Sequence, residues 1–195
     1  MVSTEAEWLH AAKQWDENAL TAIYEAYSSE LYRYAYRLLG SEAGAEDIVS
    51  ETFHRFLRAL QSGGGPKDHL RAYLYRVAHN LVIDRHRREP VPPADVDAIQ
   101  HLAADERSPE EAAGQSLAAA EMRRKLWLLT DDQRQVIMLK YYQGFNNAEA
   151  AQALGKPVGA IKSLQHRALN ALQRILEQED VKEQRHEEEN ENNER

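Results

Sequence analysis

The chain has 195 residues, with 24 Lys or Arg against 32 Asp or Glu, no Cys, and a formal net charge of −8. That length fits one medium domain or two small ones, and the lack of thiols excludes a disulfide framework and any cysteine-based zinc site. No run of about 18 apolar residues occurs, and the opening MVSTEAEWLH has neither a basic nor an apolar leader segment, so no membrane span, no secretory signal and a cytoplasmic location are expected.

Strand signals are nearly absent and helical periodicity dominates. Trp8, Leu9, Ala12 and Trp15 form a short apolar stripe. Ile23, Tyr24, Tyr27, Leu31, Tyr34, Ala35 and Leu38 form a second, closed by Gly40, a natural helix stop. Ser41 or Gly44 opens a third helix, with Glu46 and Asp47 near its positive end and Ile48, Val49, Phe53, Phe56, Leu57 and Leu60 on its apolar face. SGGGP at 62–66 breaks it. Leu70 to Arg88 then reads as a long amphipathic helix, ended near Pro90.

Residues 90–113 combine Pro, acids and sparse apolar groups and read as a linker. Extended, it reaches on the order of 75 Å, enough to bridge two successive duplex turns of roughly 34 Å each. Helices resume at Leu117–Leu129. Thr130 and Asp131 resemble an N-cap before Asp132–Tyr142, and Gly144 ends that helix. A helical hairpin follows, whose last helix runs to Ile175 or Leu176. The tail 177–195 has one apolar residue, Val181, and is expected to be disordered.

The charge follows this division. Residues 1–20 carry −3, segment 89–113 carries −6 and the tail 177–195 another −6, whereas 21–88 and 114–176 carry +2 and +5. Two mildly basic folded units with acidic connectors are therefore hidden in an acidic total. The expected fold is all-α: two small helical domains, 1–89 and 114–176, joined by the acidic linker 90–113 and followed by the tail.

Residues 147–167, NAEAAQALGKPVGAIKSLQHR, hold the most specific spacing. Ala151, Gly155 and Ile161 fall at the fifth, ninth and fifteenth places of a helix-turn-helix. A small Ala sits where the two helices cross, Gly155 supplies a positive φ at the turn, and Leu154, Val158 and Ile161 fill the core beneath. The second helix projects, and a major groove admits it. Lys162, Ser163, His166 and Arg167 are the side chains expected to face DNA. The plain alternative is a helical hairpin inside a bundle with no DNA role.

Helix 69–88 is a second candidate. Arg71, Arg76, Arg85, Arg87 and Arg88 stand against one acid, Asp84, with Tyr73, Tyr75 and Asn80 interleaved. Arginines contact phosphates, aromatics stack on unpaired bases and Asn reads base edges, a mixture that suits partly single-stranded DNA. The alternative is a solvated basic face over a core of Leu74, Val77, Ala78, Leu81 and Val82.

Other features do not reach chemistry. GGGPK at 63–67 lacks the Gly-Lys-Ser/Thr ending and the preceding strand of a phosphate loop. His79 and His86 share a helix face but Asp84 lies about 140° away, so they make a poor metal site. No scaffold positions a Ser/His/Asp arrangement. No enzyme site, metal or cofactor is expected.

The order AEDIVSETFHRFLRAL, RAYLYRVAHNLVIDRHRR, acidic linker, DDQRQVIMLKYYQGFNNAEAAQALGKPVGAIKSLQHRAL resembles the extracytoplasmic-function (ECF) sigma factors of bacterial RNA polymerase over roughly residues 18–176. The resemblance implies a sigma factor that binds polymerase core and directs promoter recognition, DNA melting and transcription initiation. Its first domain would be region 2. There Asp47, Glu51 and Phe53 would meet the β′ clamp helices. The loop 61–69 with Lys67, and Arg71, Tyr73, Tyr75, Arg76, Asn80, Arg85, Arg87 and Arg88, would hold the melted minus-ten strand. Its second domain would be region 4, with the Leu126–Leu139 face on the β flap. Val158, Gly159, Lys162, Ser163, His166 and Arg167 would read the minus-thirty-five duplex. The linker would occupy a basic nucleic-acid channel near the polymerase cleft. An anti-sigma factor is a further partner class the family implies; no membrane partner is expected.

Four positions depart from the family's usual pattern: Tyr73 for Trp, His79 for Arg, Ala150 for Ile or similar, and the order Leu164–Gln165. They bear on which promoter is read. Two rival readings stand beside this one. A stand-alone helix-turn-helix regulator would bind a palindrome as a dimer, but leaves 46–88 unexplained. An all-α protein-interaction module would show no salt-dependent retention on DNA.

Overall fold

The computed structural model describes residues 4–89 and 109–193, with backbone alone for 109–116 and 179–193. Among the described residues no strand occurs. The first half is α1 (Glu5–Ala12), α2 (Glu17–Leu39), α3 (Glu42–Gln61) and α4 (Leu70–Arg88). The second is α5 (Pro109–Trp127), α6 (Asp131–Ile137) continued by a π-helical turn (Met138–Tyr142), α7 (Asn147–Leu154) and α8 (Val158–Asn193).

Local chemistry sets the boundaries. Thr4 and Glu7 form a capping box at α1, Asp16 caps α2 and Ser41 caps α3. Ser41, rather than Gly44, is therefore the N-cap, and Glu46 and Asp47 lie in the second turn, beyond the helix end they were expected to neutralise. Gly40 closes α2 at φ 68°, where a Cβ would also collide with the Arg123 guanidinium. Thr130 and Gln133 form the capping box of α6.

α2, α3 and α4 pack as a bundle whose core holds Ile23, Leu31, Tyr34, Leu38, Phe56, Leu74 and Val82, with α1 laid across α2. Tyr24, expected inside, is 51 % exposed and rests on Phe53 at 4.8 Å between ring centroids. In the second half α8 is the backbone of the packing, with α5, α6 and α7 set against it around Val136, Met138, Leu139, Phe145, Ile161, Leu164 and Ala168.

Three expectations are corrected. Helix begins at Pro109, eight residues before Leu117, so 109–113 is helix and not linker; the linker residues 90–108 lie outside the described residues. The tail 177–193 continues α8 as helix to Asn193. It contains no Gly or Pro and is rich in Glu, whose straight chain loses little freedom in a helix, and Gln173 donates to Glu177 at 2.8 Å near its start. Finally, the Leu126–Leu139 face assigned to the β flap is core: Leu126, Leu129, Val136, Ile137, Met138 and Leu139 are all buried. On that stretch Leu128, at 62 %, is the large exposed apolar side chain.

Candidate nucleic-acid interface

The turn between α7 and α8 is built for a close crossing. Asn146 Oδ1 accepts from the Ala148 and Glu149 amides at 2.8 and 3.0 Å, and Glu149 Oε2 accepts from the Asn146 amide at 2.7 Å, which fixes where α7 starts. Ala150, Ala151 and Ala153 are buried, so the backbones approach without side chains between them. Gly155 closes α7 at φ 64°. A Cβ there would meet nothing nearer than Arg76 Nη2 at 4.0 Å. Gly155→Ala therefore loses stability through backbone strain alone, about 1–2 kcal/mol. A denaturation midpoint equal to wild type would overturn that assignment.

Ile161, Leu164 and Ala168 point inward from α8. Gly159, Lys162, Ser163, His166 and Arg167 fall three or four residues apart on the opposite side and are all exposed, which makes one continuous polar stripe. Val158 is 44 % exposed and joins that stripe instead of the core, because it sits in the first turn, beyond the crossing point. Arg174 lies two turns further on, its Nε donating to the Asn170 carbonyl at 3.1 Å.

In the first half the candidate residues divide. Lys67, Arg76, Asn80, Arg87 and Arg88 are exposed, while Arg71, Tyr73 and Arg85 are half-buried. Lys67 belongs to the loop 62–69, which takes positive φ at Gly63, Gly65 and His69. With α1 this loop lines an open groove bordered by Leu9, His10, Lys13, Lys67 and His69. Tyr75, expected to stack on unpaired bases, is fully buried. Its ring stands edge-on to Tyr34 at 5.3 Å and to Phe145 at 5.2 Å. Its position on α4 turns it toward both halves of the chain, and burial raises the phenol's pKa.

Of the residues assigned to polymerase, Asp47 and Glu51 reach solvent on α3, and Phe53 is buried beneath Tyr24. Asp47 pairs with Arg85 at 2.8 Å and Glu51 with Arg55 at 2.7 Å. The Arg55 hydrogen bond holds the Glu51 carboxyl below the usual carboxylate range.

Sequence reasoning missed the residues that join the halves. Trp127 Nε1 donates to the Leu38 carbonyl at 2.8 Å, and its ring stacks on His86 at 3.3 Å. On the indole lies the Arg134 guanidinium, 3.9 Å from the centroid, which also donates to the Leu129 carbonyl at 3.1 Å and to Asp131. Arg123 donates to the Arg37 carbonyl at 3.1 Å. These donors satisfy carbonyls left open at the C-terminal end of α2 and in the turn that follows α5. An aromatic at 127 flanked by basic residues was a visible signal, but nothing local says which distant carbonyl it meets.

Two family models match, Sigma-70 region 2 over residues 23–90 and Sigma-70 region 4 over residues 126–174. The ECF RNA polymerase sigma factor SigW of Bacillus subtilis is 32 % identical over 84 % of this chain and 92 % of its own length. The chain belongs to the ECF sigma factors. This sigma factor is also 34 % identical to SigL of Mycobacterium tuberculosis, over 82 % of this chain and 89 % of that one. BldN of Streptomyces coelicolor is 36 % identical over 87 % of this chain, which spans 65 % of that longer protein. Among solved structures, CnrH in complex with the cytosolic domain of CnrY shares the sigma factor's fold at a TM-score of 0.66 and 24 % identity, over 87 % of this chain and 95 % of that one. RpoE in complex with the anti-sigma factor NepR, from Bartonella quintana, gives a TM-score of 0.55 at 26 % identity, over 80 % and 96 %.

Proposed function

We infer that this sigma factor binds the core of RNA polymerase, brings it to promoters and initiates transcription there, as a cytoplasmic protein with no catalytic residues of its own. The observation that carries the reading is the exposed stripe Gly159–Lys162–Ser163–His166–Arg167, held on a helix-turn-helix in the same chain as the arginine-rich α4. The stripe reads minus-thirty-five duplex through the major groove. Lys67, the arginines of α4 and half-buried Tyr73 take the unpaired minus-ten strand. Asp47 and Glu51, which reach solvent on α3, face the β′ clamp helices. An anti-sigma factor is a further partner, a reading supported by the RpoE–NepR complex among the similar structures.

Initiation by differential binding needs both DNA contacts at once. Unpairing costs a few kcal/mol per flipped base, recovered on α4 only when polymerase holds the two halves at the promoter's spacing. In vitro transcription with bacterial core polymerase on a promoter library, with start sites sequenced, tests this. Initiation at a common pair of elements, dependent on the added chain, is expected. No association with core at low ionic strength would overturn it. On the promoter so found, Arg167→Ala weakens holoenzyme binding by about 1–3 kcal/mol if the guanidinium pairs with guanine. Unchanged affinity with intact folding would make Arg167 a solvated base.

A further inference from the structure

The helix that leads into the turn motif does not reach it as a plain α-helix. After Ile137 the chain widens into the π-helical turn Met138–Tyr142, and the Gln143 amide donates to the Met138 carbonyl at 3.1 Å, a step of five residues instead of four. Such turns are rare and are found frequently at functional positions. Met138 and Leu139 stay in the core, while Tyr141 is turned out to 51 % exposure. Its hydroxyl is nevertheless held: Gln165 Nε2, on α8, donates to it at 2.8 Å. The neighbouring Tyr142 is engaged elsewhere, with the Arg37 guanidinium 4.5 Å from its ring centroid. Gln165 is half-buried, between the inward face of α8 at Ile161, Leu164 and Ala168 and the exposed stripe, three residues after Lys162 and one before His166. Tyr141 is therefore tethered along the Lys162 edge of the stripe.

We propose that Tyr141 is a duplex-contact residue: its hydroxyl donates to a phosphate oxygen on the wall of the groove that α8 enters, and Gln165 is the positioning residue that holds it there. The inference rests on the reading of α8 as the helix that reads the minus-thirty-five duplex. An α-helix with its side chains is about 10–12 Å across, and the major groove is about 12 Å wide. The helix fills the groove, so a group standing beside it meets the phosphate wall and not a base edge. The chemistry suits that wall. Gln165 uses the Tyr141 oxygen as an acceptor, which leaves the O–H proton to donate, and tyrosine hydroxyls are regular partners of phosphate oxygens. A contact of this kind carries no base information. It fixes how deeply α8 sits, and so brings Lys162 and His166 to the height of the base edges.

The test uses the holoenzyme on the promoter that the library selects, in duplexes where single phosphates along the minus-thirty-five element are replaced by uncharged methylphosphonates. Wild type is expected to lose affinity at one phosphate beside the element. Tyr141→Phe is expected to lose nothing further at that phosphate, because the variant has already given up the contact. On the unmodified promoter Tyr141→Phe binds about tenfold more weakly, with its unfolding midpoint unchanged. The factor is the same for every base substitution in the element. The slope of affinity against salt also stays the same, since a hydroxyl displaces no bound cation. Gln165→Ala loses a smaller part of the same factor and adds nothing to Tyr141→Phe, because the amide acts through the hydroxyl. Tyr141→Phe binding as tightly as wild type would overturn the proposal. So would a loss that depends on the base at one position, or two proteins equally sensitive to every methylphosphonate. If any of these comes with Arg167→Ala still weakening binding, this inference fails alone. A wild-type holoenzyme indifferent to the minus-thirty-five element would overturn the promoter reading together with it.

Discussion

Truncating Phe145 to Ala lowers the unfolding free energy by about 3–5 kcal/mol, the cost of a deep cavity left by a phenyl ring. Phe145 precedes α7 in a connecting segment, yet it is 2 % exposed. The Tyr75 ring meets it edge-on at 5.2 Å, and the Arg71 guanidinium caps it at 4.3 Å. Both neighbours belong to α4, so the ring is shared between the two halves of the chain, and its cation–π and edge-face contacts add to its burial. Denaturant unfolding followed by circular dichroism checks the value. A loss below about 1 kcal/mol would mean that the site collapses around the missing ring or that the halves are apart in solution. Small-angle X-ray scattering of the wild-type chain separates those outcomes.

Acidification from pH 6.5 to pH 4 is expected to remove about 3 kcal/mol of stability through a single side chain, His79. The imidazole is 4 % exposed, and its Nδ1 lies 2.7 Å from the Tyr34 hydroxyl, which is itself fully buried. Burial, and secondarily the positive charge of Arg134 from the other half of the chain, lower its pKa from 6.5 to about 4; Asp131 and Asp132 act in the opposite sense. A neutral ring accepts the Tyr34 O–H, whereas a protonated ring loses that acceptor. The unfolded chain takes up a proton below pH 6.5 and the native chain only near pH 4. The stabilisation is therefore complete above pH 6.5 and is lost progressively as pH falls through that window. His86, whose pKa burial against Trp127 also lowers, adds in the same direction. Thermal unfolding of wild type and His79→Asn at several pH values isolates the effect. The variant starts lower at neutral pH, having disturbed Tyr34, but its midpoint falls less steeply on acidification. Parallel slopes would remove His79 as the origin.

The sequence carried the local part of this protein and its family. Gly40, Gly144 and Gly155 were legible as helix stops because only a residue without a Cβ takes positive φ without strain, and all three do so in the structure. The N-cap at Thr130 and the inward face of α8 at Ile161 and Leu164 followed from capping chemistry and the 3.6-residue period. Failures came where a pattern has more than one physical solution. A Glu-rich tail reads as disorder from its charge and as helix from its propensities, and here α8 runs on. An apolar face at Leu126–Leu139 can cover a partner or close a core, and in a small domain the core takes it.

Tyr75 and Arg76 show what only tertiary structure could decide. Their residue types fit nucleic acid, and composition alone leaves them on a basic surface. Whether such a surface meets water, DNA or its own chain depends on which distant oxygens the fold brings within hydrogen-bond reach. Gln143 lies 68 residues from Tyr75 in sequence, and Ala153 lies 77 from Arg76. No local rule spans that separation. Periodicity and turn chemistry act over a few residues and are written in the chain, whereas long-range pairing depends on how two preformed helical units meet in space.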